Sequence, residues 1–110
     1  MSQRVKKVNE LLKHEISQLL LREVDFCDIL VTITDIDTSS DLKHAKVKIS
    51  TLPQEKNKLA LEMINKNVFH IQQKLNKRLQ MKPIPRIRFE IDQAEIKAQR
   101  IEELLKKNEA

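Results

Sequence analysis

Two short segments alternate strictly between apolar and charged residues, all of the charged ones basic except Glu90, and a period of two admits only extended chain. In Ala45-Lys46-Val47-Lys48-Ile49 and Arg86-Ile87-Arg88-Phe89-Glu90-Ile91, the pattern sends Ala45, Val47, Ile49, Ile87, Phe89 and Ile91 to a buried side. Lys46, Lys48, Arg86 and Arg88 go to the other. If the two strands share a sheet, its open face is positive, and a core cannot cover such a face without burying unpaired charge. That leaves the face to solvent or to a polyanion, of which nucleic acid is the first to consider.

Helices account for most of the remainder. From Arg4 to about Glu23, apolar residues at Val5, Val8, Leu12, Ile16, Leu19 and Leu20 recur in steps of three and four, with Arg4, Lys6, Lys7, Lys13 and His14 on the opposite side. Asp25 to Asp28 reads as a turn and Ile29 to Thr34 as a β-branched strand. Asp37-Thr38-Ser39-Ser40-Asp41 reads as a hairpin loop, and a second strand runs from about Leu42 to Thr51. Pro53 suits the first turn of the next helix, whose stripe of Ala60, Ile64, Val68, Ile71, Leu75 and Leu79 persists to about Gln80. About 25 residues is long for a small domain, so a bend is expected near Asn65 to Asn67. Pro83 and Pro85 end that helix, and Ile84 to Ile91 forms the third strand. Asp92 with Glu95 resembles a capping box that opens a last helix carrying Ala94, Ala98, Ile101, Leu104 and Leu105. The order α-β-β-α-α-β, followed by a C-terminal helix, predicts an α+β fold: a three-stranded sheet with helices on one face and the other face open.

Composition narrows the functions available. A chain of 110 residues holds one modest core, hence one domain over 1–110 with a surface function and a few dispensable residues at its end. The 21 Lys plus Arg against 16 Asp plus Glu, net +5, predict a basic patch and not a wholly basic surface. There is no glycine, which excludes a P-loop, a dinucleotide fingerprint and any glycine-rich phosphate cradle. Cys27 stands alone, so an internal disulfide and a cysteine-based zinc site are both excluded, in keeping with a reducing cytosol. Met1 to Glu10 is polar, and no apolar run nears the ~20 residues that span a bilayer, so a soluble, cytoplasmic protein with no membrane partner is expected. The aromatic residues are Phe26, Phe69 and Phe89; Phe89 has inward parity, so base stacking on the sheet is not expected.

The element order resembles the bacterial ribosome-binding factor A family over about Arg4-Val5 to Leu105. The likeness rests on Val31-Thr32-Ile33-Thr34-Asp35-Ile36, on Asp41-Leu42 followed by Ala45-Lys46-Val47 and Ser50, and on Pro85-Arg86-Ile87-Arg88-Phe89 closing at Asp92. The resemblance implies a type II KH-like fold and association with the free small (30S) ribosomal subunit. It further implies a role in late maturation of 16S rRNA, including its 5′ region, that matters most in the cold. Where the family commonly has small residues at the break between the two central helices, this chain has Asn67-Val68-Phe69. Asn67 can supply a local backbone hydrogen bond at such a break. With no GxxG clamp, binding is expected to follow the shape and charge of folded RNA and not a single-stranded register.

Three groups are candidate RNA contacts: Lys46, Lys48, Arg86 and Arg88 on the sheet; Lys74, Lys77, Arg78 and Lys82 on a helical flank without acidic partners at helical spacing; and Arg4 with Lys7 at the N-terminus. The competing reading of each is a solvated charged face or a fraying terminus. Lys97, Arg100, Lys106 and Lys107 are interleaved with Glu95, Glu102 and Glu103 and read as a solvated helix. His14, His44 and His70 fall on separate elements, Asp35 with Asp37 is too small a set for a cation, and Cys27 reads as a turn residue. No nucleophile, base and oxyanion set can be assembled, so the chain is expected to be no enzyme and to need no cofactor or small-molecule substrate. The expectation is a monomeric assembly factor. A protein-interaction module with incidental charge is the alternative, and a small hydrolase acting on nucleic acid is a third reading, which needs a metal or a clustered acid-base pair that the sequence does not offer.

Overall fold

A computed structural model describes residues 3–94 and Leu105. Helix α1 spans Gln3–Glu23, followed by strands β1 (Leu30–Thr38) and β2 (His44–Leu52). A 3-10 turn at Gln54–Lys56 leads into α2 (Asn57–Lys66) and α3 (Val68–Arg78), and the path closes with β3 (Arg86–Ile91). The sheet order is β1-β2-β3, antiparallel between the first pair and parallel between the second. This is the expected α+β architecture. Asp92 Oδ1 accepts the Ala94 N–H at 3.0 Å, the N-cap bond suggested by the sequence, and the rest of the expected C-terminal helix lies outside the described residues.

The apolar parity of each element meets in one core. Leu12, Ile16 and Leu19 of α1, Val47 and Ile49 of β2, Ile64 of α2, and Ile71 and Leu75 of α3 are fully buried. Each such side chain contributes roughly 1.5–3 kcal/mol by leaving water. Helix α1 packs on β1 and α3, while α2 lies against β2 and β3, so the helices cover one face of the sheet.

The long helical stripe divides where its length suggested. Asn67, at φ −112° and ψ 4°, separates α2 from α3, and its N–H still reaches the Ile64 carbonyl at 2.9 Å. Its side-chain amide donates to the Met63 carbonyl at 2.9 Å. One asparagine therefore satisfies a carbonyl that the interruption would release, and Ile64 and Ile71 stay buried on either side.

Strand β1 is longer than its β-branched run, because a bulge at Thr34 resets the alternation. Pairing passes from Ile33↔Ile49 to Asp35↔Lys48, after which Ile36 and Thr38 point inward and Asp35 and Asp37 outward. The Thr34 hydroxyl donates to Asp92 Oδ2 at 2.6 Å, tying the bulge to the end of β3.

Without glycine, left-handed backbone falls to Cys27 (φ 56°) and Leu42 (φ 62°), a conformation that costs roughly 1–2 kcal/mol in a residue with a Cβ. At Cys27, its N–H donates to Asp25 Oδ1 at 2.9 Å. Leu42 is buried, and the hairpin loop around it is closed by hydrogen bonds. Ser39 Oγ donates to Asp41 Oδ1 at 2.6 Å and accepts from His44 N–H at 3.1 Å, while Lys43 N–H donates to Asp41 Oδ1 at 3.0 Å. The Ser39 hydroxyl, then the Lys43 N–H, hold the Asp41 carboxyl below its ordinary 3.8. Because the folded value is depressed, this stabilisation is fully present well above 3.8 and is lost as pH falls below it through the folded value. Asp41→Ala should therefore be less stable than the parent at neutral pH, with the gap narrowing as denaturant titrations are carried below pH 3.8. A gap that stays constant into acid would show that the carboxylate does not brace the loop.

Candidate nucleic-acid interface

The parallel register brings the two alternating segments side by side: His44 faces Arg86, Lys46 faces Arg88 and Lys48 faces Glu90. Across the other edge of β2, Lys46 faces Asp37 and Lys48 faces Asp35. The outer face of the sheet is thus not uniformly positive, which corrects the expectation drawn from the two segments alone. Lys48 stands in a row between two carboxylates, and the basic character gathers at one end, in Lys46, Arg86 and Arg88 beside His44. The sequence concealed Asp35 and Asp37, which reach the face only through the bulge at Thr34 and the extended β1, whereas Glu90 stood at outward parity in the second segment itself.

The basic end opens onto a cleft of about 510 Å³ between β3 and the α2–α3 junction, with Asn65 and Val68 on the helical side and Lys46, Arg86, Arg88 and Phe89 on the strand side. A second hollow continues it along α3 past Phe69, Gln73 and Asn76. Among the described residues, no carboxylate lines either one. By contrast, the hollow between α1 and β1 mixes Lys6 and Lys13 with Glu10, Asp35 and Asp37.

Among the described residues, β3 is an edge strand. Arg86 N–H donates to Lys43 O at 2.9 Å and Asp92 N–H to Ile49 O at 2.8 Å, so even-numbered residues bond toward β2. Odd-numbered peptide groups face outward. Gln72 of α3 takes the first of them: its Oε1 accepts the Ile87 N–H at 2.8 Å, and its Nε2 donates to the Pro85 carbonyl at 3.1 Å and to Asn76 Oδ1 at 3.0 Å. The clamp holds the peptide groups on both sides of Arg86 and so fixes where that guanidinium leaves the strand. By the same alternation, the Phe89 N–H and carbonyl point away from β2.

The helical flank divides. Lys74, Lys77 and Lys82 are exposed, whereas Arg78 is half-buried and donates from Nη1 to Glu15 Oε2 and Gln18 Oε1, each at 3.3 Å. His70 Nε2 lies 2.7 Å from Glu23 Oε2 along the same seam. The hydrogen bond with His70 draws the Glu23 carboxyl below its ordinary range; desolvation opposes it, and the charges of His70, Lys74 and Arg78 add to the lowering. Thus the flank does have acidic neighbours, supplied by α1 and invisible to spacing within α3. Arg78 belongs to helix packing. Arg4 and Lys7 are exposed on the first two turns of α1.

Sequence reasoning passed over Phe69, which stands one residue off the apolar stripe in the first turn of α3 and is 73% exposed on the rim of the second hollow. Its displacement from the stripe was the available signal. Phe89, as its parity required, is buried.

A family model described as ribosome-binding factor A matches residues 4–105. The chain is 39% identical to ribosome-binding factor A of Halothermothrix orenii, over 96% of its own length and 88% of the relative's. It is 34% identical to that of Thermodesulfovibrio yellowstonii over 94% and 88%. In fold it is similar to the crystal structure of ribosome-binding factor A from Thermus thermophilus, with TM-score 0.69 and 18% identity over 79% of this chain and 93% of that one. A homology model of the Thermus thermophilus factor, fitted into a cryo-EM map of its complex with the 30S subunit, matches with TM-score 0.62 and 22% identity, over 77% and 91%.

Removing the clamp tests how the cleft is built. Gln72→Ala is expected to lower unfolding free energy by about 1–3 kcal/mol, since the half-buried Ile87 N–H loses its acceptor. Amide exchange at Ile87 should quicken while that at Arg86, bonded to β2, changes little. Equal acceleration of both would contradict a local clamp.

Proposed function

The chain belongs to the ribosome-binding factor A family, and on that premise we propose that it binds the free small ribosomal subunit and assists late maturation of 16S rRNA, including processing of the 5′ region. It acts in the cytoplasm as a monomeric, single-domain, non-enzymatic RNA-binding factor with no cofactor, and its role is greatest in the cold. The observation that carries the RNA contact is the clustering of Lys46, Arg86 and Arg88 at an acid-free cleft. Phosphates there meet guanidinium groups held at fixed positions on a strand, an arrangement suited to bidentate contacts. Lys74, Lys77, Lys82, Arg4 and Lys7 add charge that steers the encounter, while Lys48, flanked by carboxylates on both sides where Lys46 has one, and Arg78, held by Glu15, contribute less.

No catalytic step is needed. A factor that binds one conformer of an immature RNA more tightly than the mature one shifts the population by that difference and departs when the favoured surface is gone. Among the described residues, no helix is long and apolar enough to cross a membrane.

A second reading draws on Leu30 and Leu52, which pair across β1 and β2 and are both well exposed at the far end of the outer face. They suit a protein partner. Salt-insensitive association with a ribosomal protein, and none with RNA, would favour that module.

Co-sedimentation with small subunits over a series of salt concentrations tests the first reading. Saturable binding should weaken steeply with salt, and Arg86→Ala with Arg88→Ala should lower affinity about tenfold or more and flatten the salt dependence. Lys74→Ala with Lys77→Ala should cost less than the arginine pair. No association at any salt would overturn the proposal.

A further inference from the structure

The end of the sheet away from the basic cleft has the opposite character. Strand β2 begins at His44, beside the cations, and ends at Leu52, roughly 26 Å away at the usual rise of a strand. There Leu52 pairs with Leu30 of β1, and the two are 65% and 61% exposed. Next to Leu30 in the chain, Ile29 joins Phe26, Leu59 and Met63 in lining a hollow of about 330 Å³, whose charged members are Asp28 and Lys56. The connection between α1 and β1, residues 24–29, carries Asp25 and Asp28 and no cation. Among the described residues neither carboxylate forms an ion pair, although the chain as a whole has a net charge of +5. Lys56 offsets one of the two charges and leaves the other.

Three kinds of occupant can be compared. RNA gains little from leucines and is repelled by Asp25 and Asp28. A second copy of this chain is a poor fit, because a two-fold contact sets like carboxylates near one another, and a few half-exposed aliphatic residues fall well short of the roughly 800 Å² that each partner buries in a stable complex. A segment of a basic protein suits both features: an apolar side chain fills the hollow, and cations meet the unpaired carboxylates. Resting on the reading of the chain as a small-subunit factor, we propose that this tip docks a segment of a basic protein of that subunit, with an aliphatic or aromatic anchor against Leu30, Leu52 and Leu59 and lysine or arginine beside Asp25 and Asp28. The contact is too small to hold a complex alone, so it acts together with RNA held at Lys46, Arg86 and Arg88. Protein and RNA are then recognised at opposite ends of one rigid strand, and only a site that offers both at that separation is bound in full.

Photocrosslinking of the full chain to purified small ribosomal subunits, with p-benzoylphenylalanine in place of Leu52, tests the inference. The adduct should resist ribonuclease, yield to protease, and contain a basic subunit protein by mass spectrometry; the same probe in place of Arg88 should yield an adduct with RNA. Affinity supplies a second readout. Leu30→Ser with Leu52→Ser should weaken binding to subunits about tenfold and leave binding to protein-free 16S rRNA unchanged. Asp28→Lys should weaken subunit binding while leaving rRNA binding equal or tighter, a divergence that a folding defect does not produce. Both sites are exposed, and circular dichroism checks that the variants fold. An adduct from position 52 with RNA or with a second copy of the chain, no adduct at all, or subunit affinity indifferent to these substitutions would overturn the inference. If the parent binds subunits under any of those outcomes, the tip alone is lost; if the parent fails to bind subunits, the ribosomal reading is lost with it.

Discussion

The parallel pairing of β2 with β3 governs most of what this molecule presents to its surroundings. Val47 opposite Phe89 and Ile49 opposite Ile91 place apolar side chains on the inner face, and the same register sets Lys46 beside Arg88 on the outer one. A one-residue slip would exchange the two faces and drive cations into the core, so the hydrophobic pattern and the charge pattern specify one register. Parallel strands need a crossover, and here it is the broken helix of α2 and α3. The crossover leaves β3 as an edge strand with the α2–α3 junction beside it. Cleft, exposed ring and arginine cluster are all products of that one pairing.

The helix break and the hairpin loop show how a chain without glycine makes its turns. Where a glycine would relieve backbone strain at no steric cost, Asn67, Asp25, Ser39 and Asp41 supply side-chain hydrogen bonds instead. Leu42 occupies the left-handed region and offsets that strain by burying its side chain. Among these bracing groups, the Asp41 carboxylate ties the stability of its loop to pH.

The sequence revealed elements more readily than their juxtaposition. Periodicity located α1 and the three strands, because burial imposes periods of 3.6 and 2 on the residues that face a core, while the break at Asn67 was signalled by the length of the stripe that crosses it. It did not foresee the bulge at Thr34, which lengthens β1 and brings Asp35 and Asp37 onto a face expected to be positive. Nor did it foresee that Arg78 would meet Glu15 across the α1–α3 seam. Both are pairings between residues distant in the chain, and spacing within one element carries no trace of them. Phe69 was visible as a residue and its position was not, since only the fold shows that the stripe it leaves lies against the sheet and that its own side borders Arg86.

The central claim is that RNA is met at the basic end of the sheet and the cleft beside it, and not on the α1–α3 side. Hydrogen–deuterium exchange of the protein, free and bound to small ribosomal subunits, addresses that claim directly. Binding there predicts new protection in β3 around Arg86 to Phe89, in the start of β2 and at the α2–α3 junction, with α1 little changed. Protection confined to α1 and the exposed side of α3, with the β3 edge exchanging as in the free protein, would contradict it.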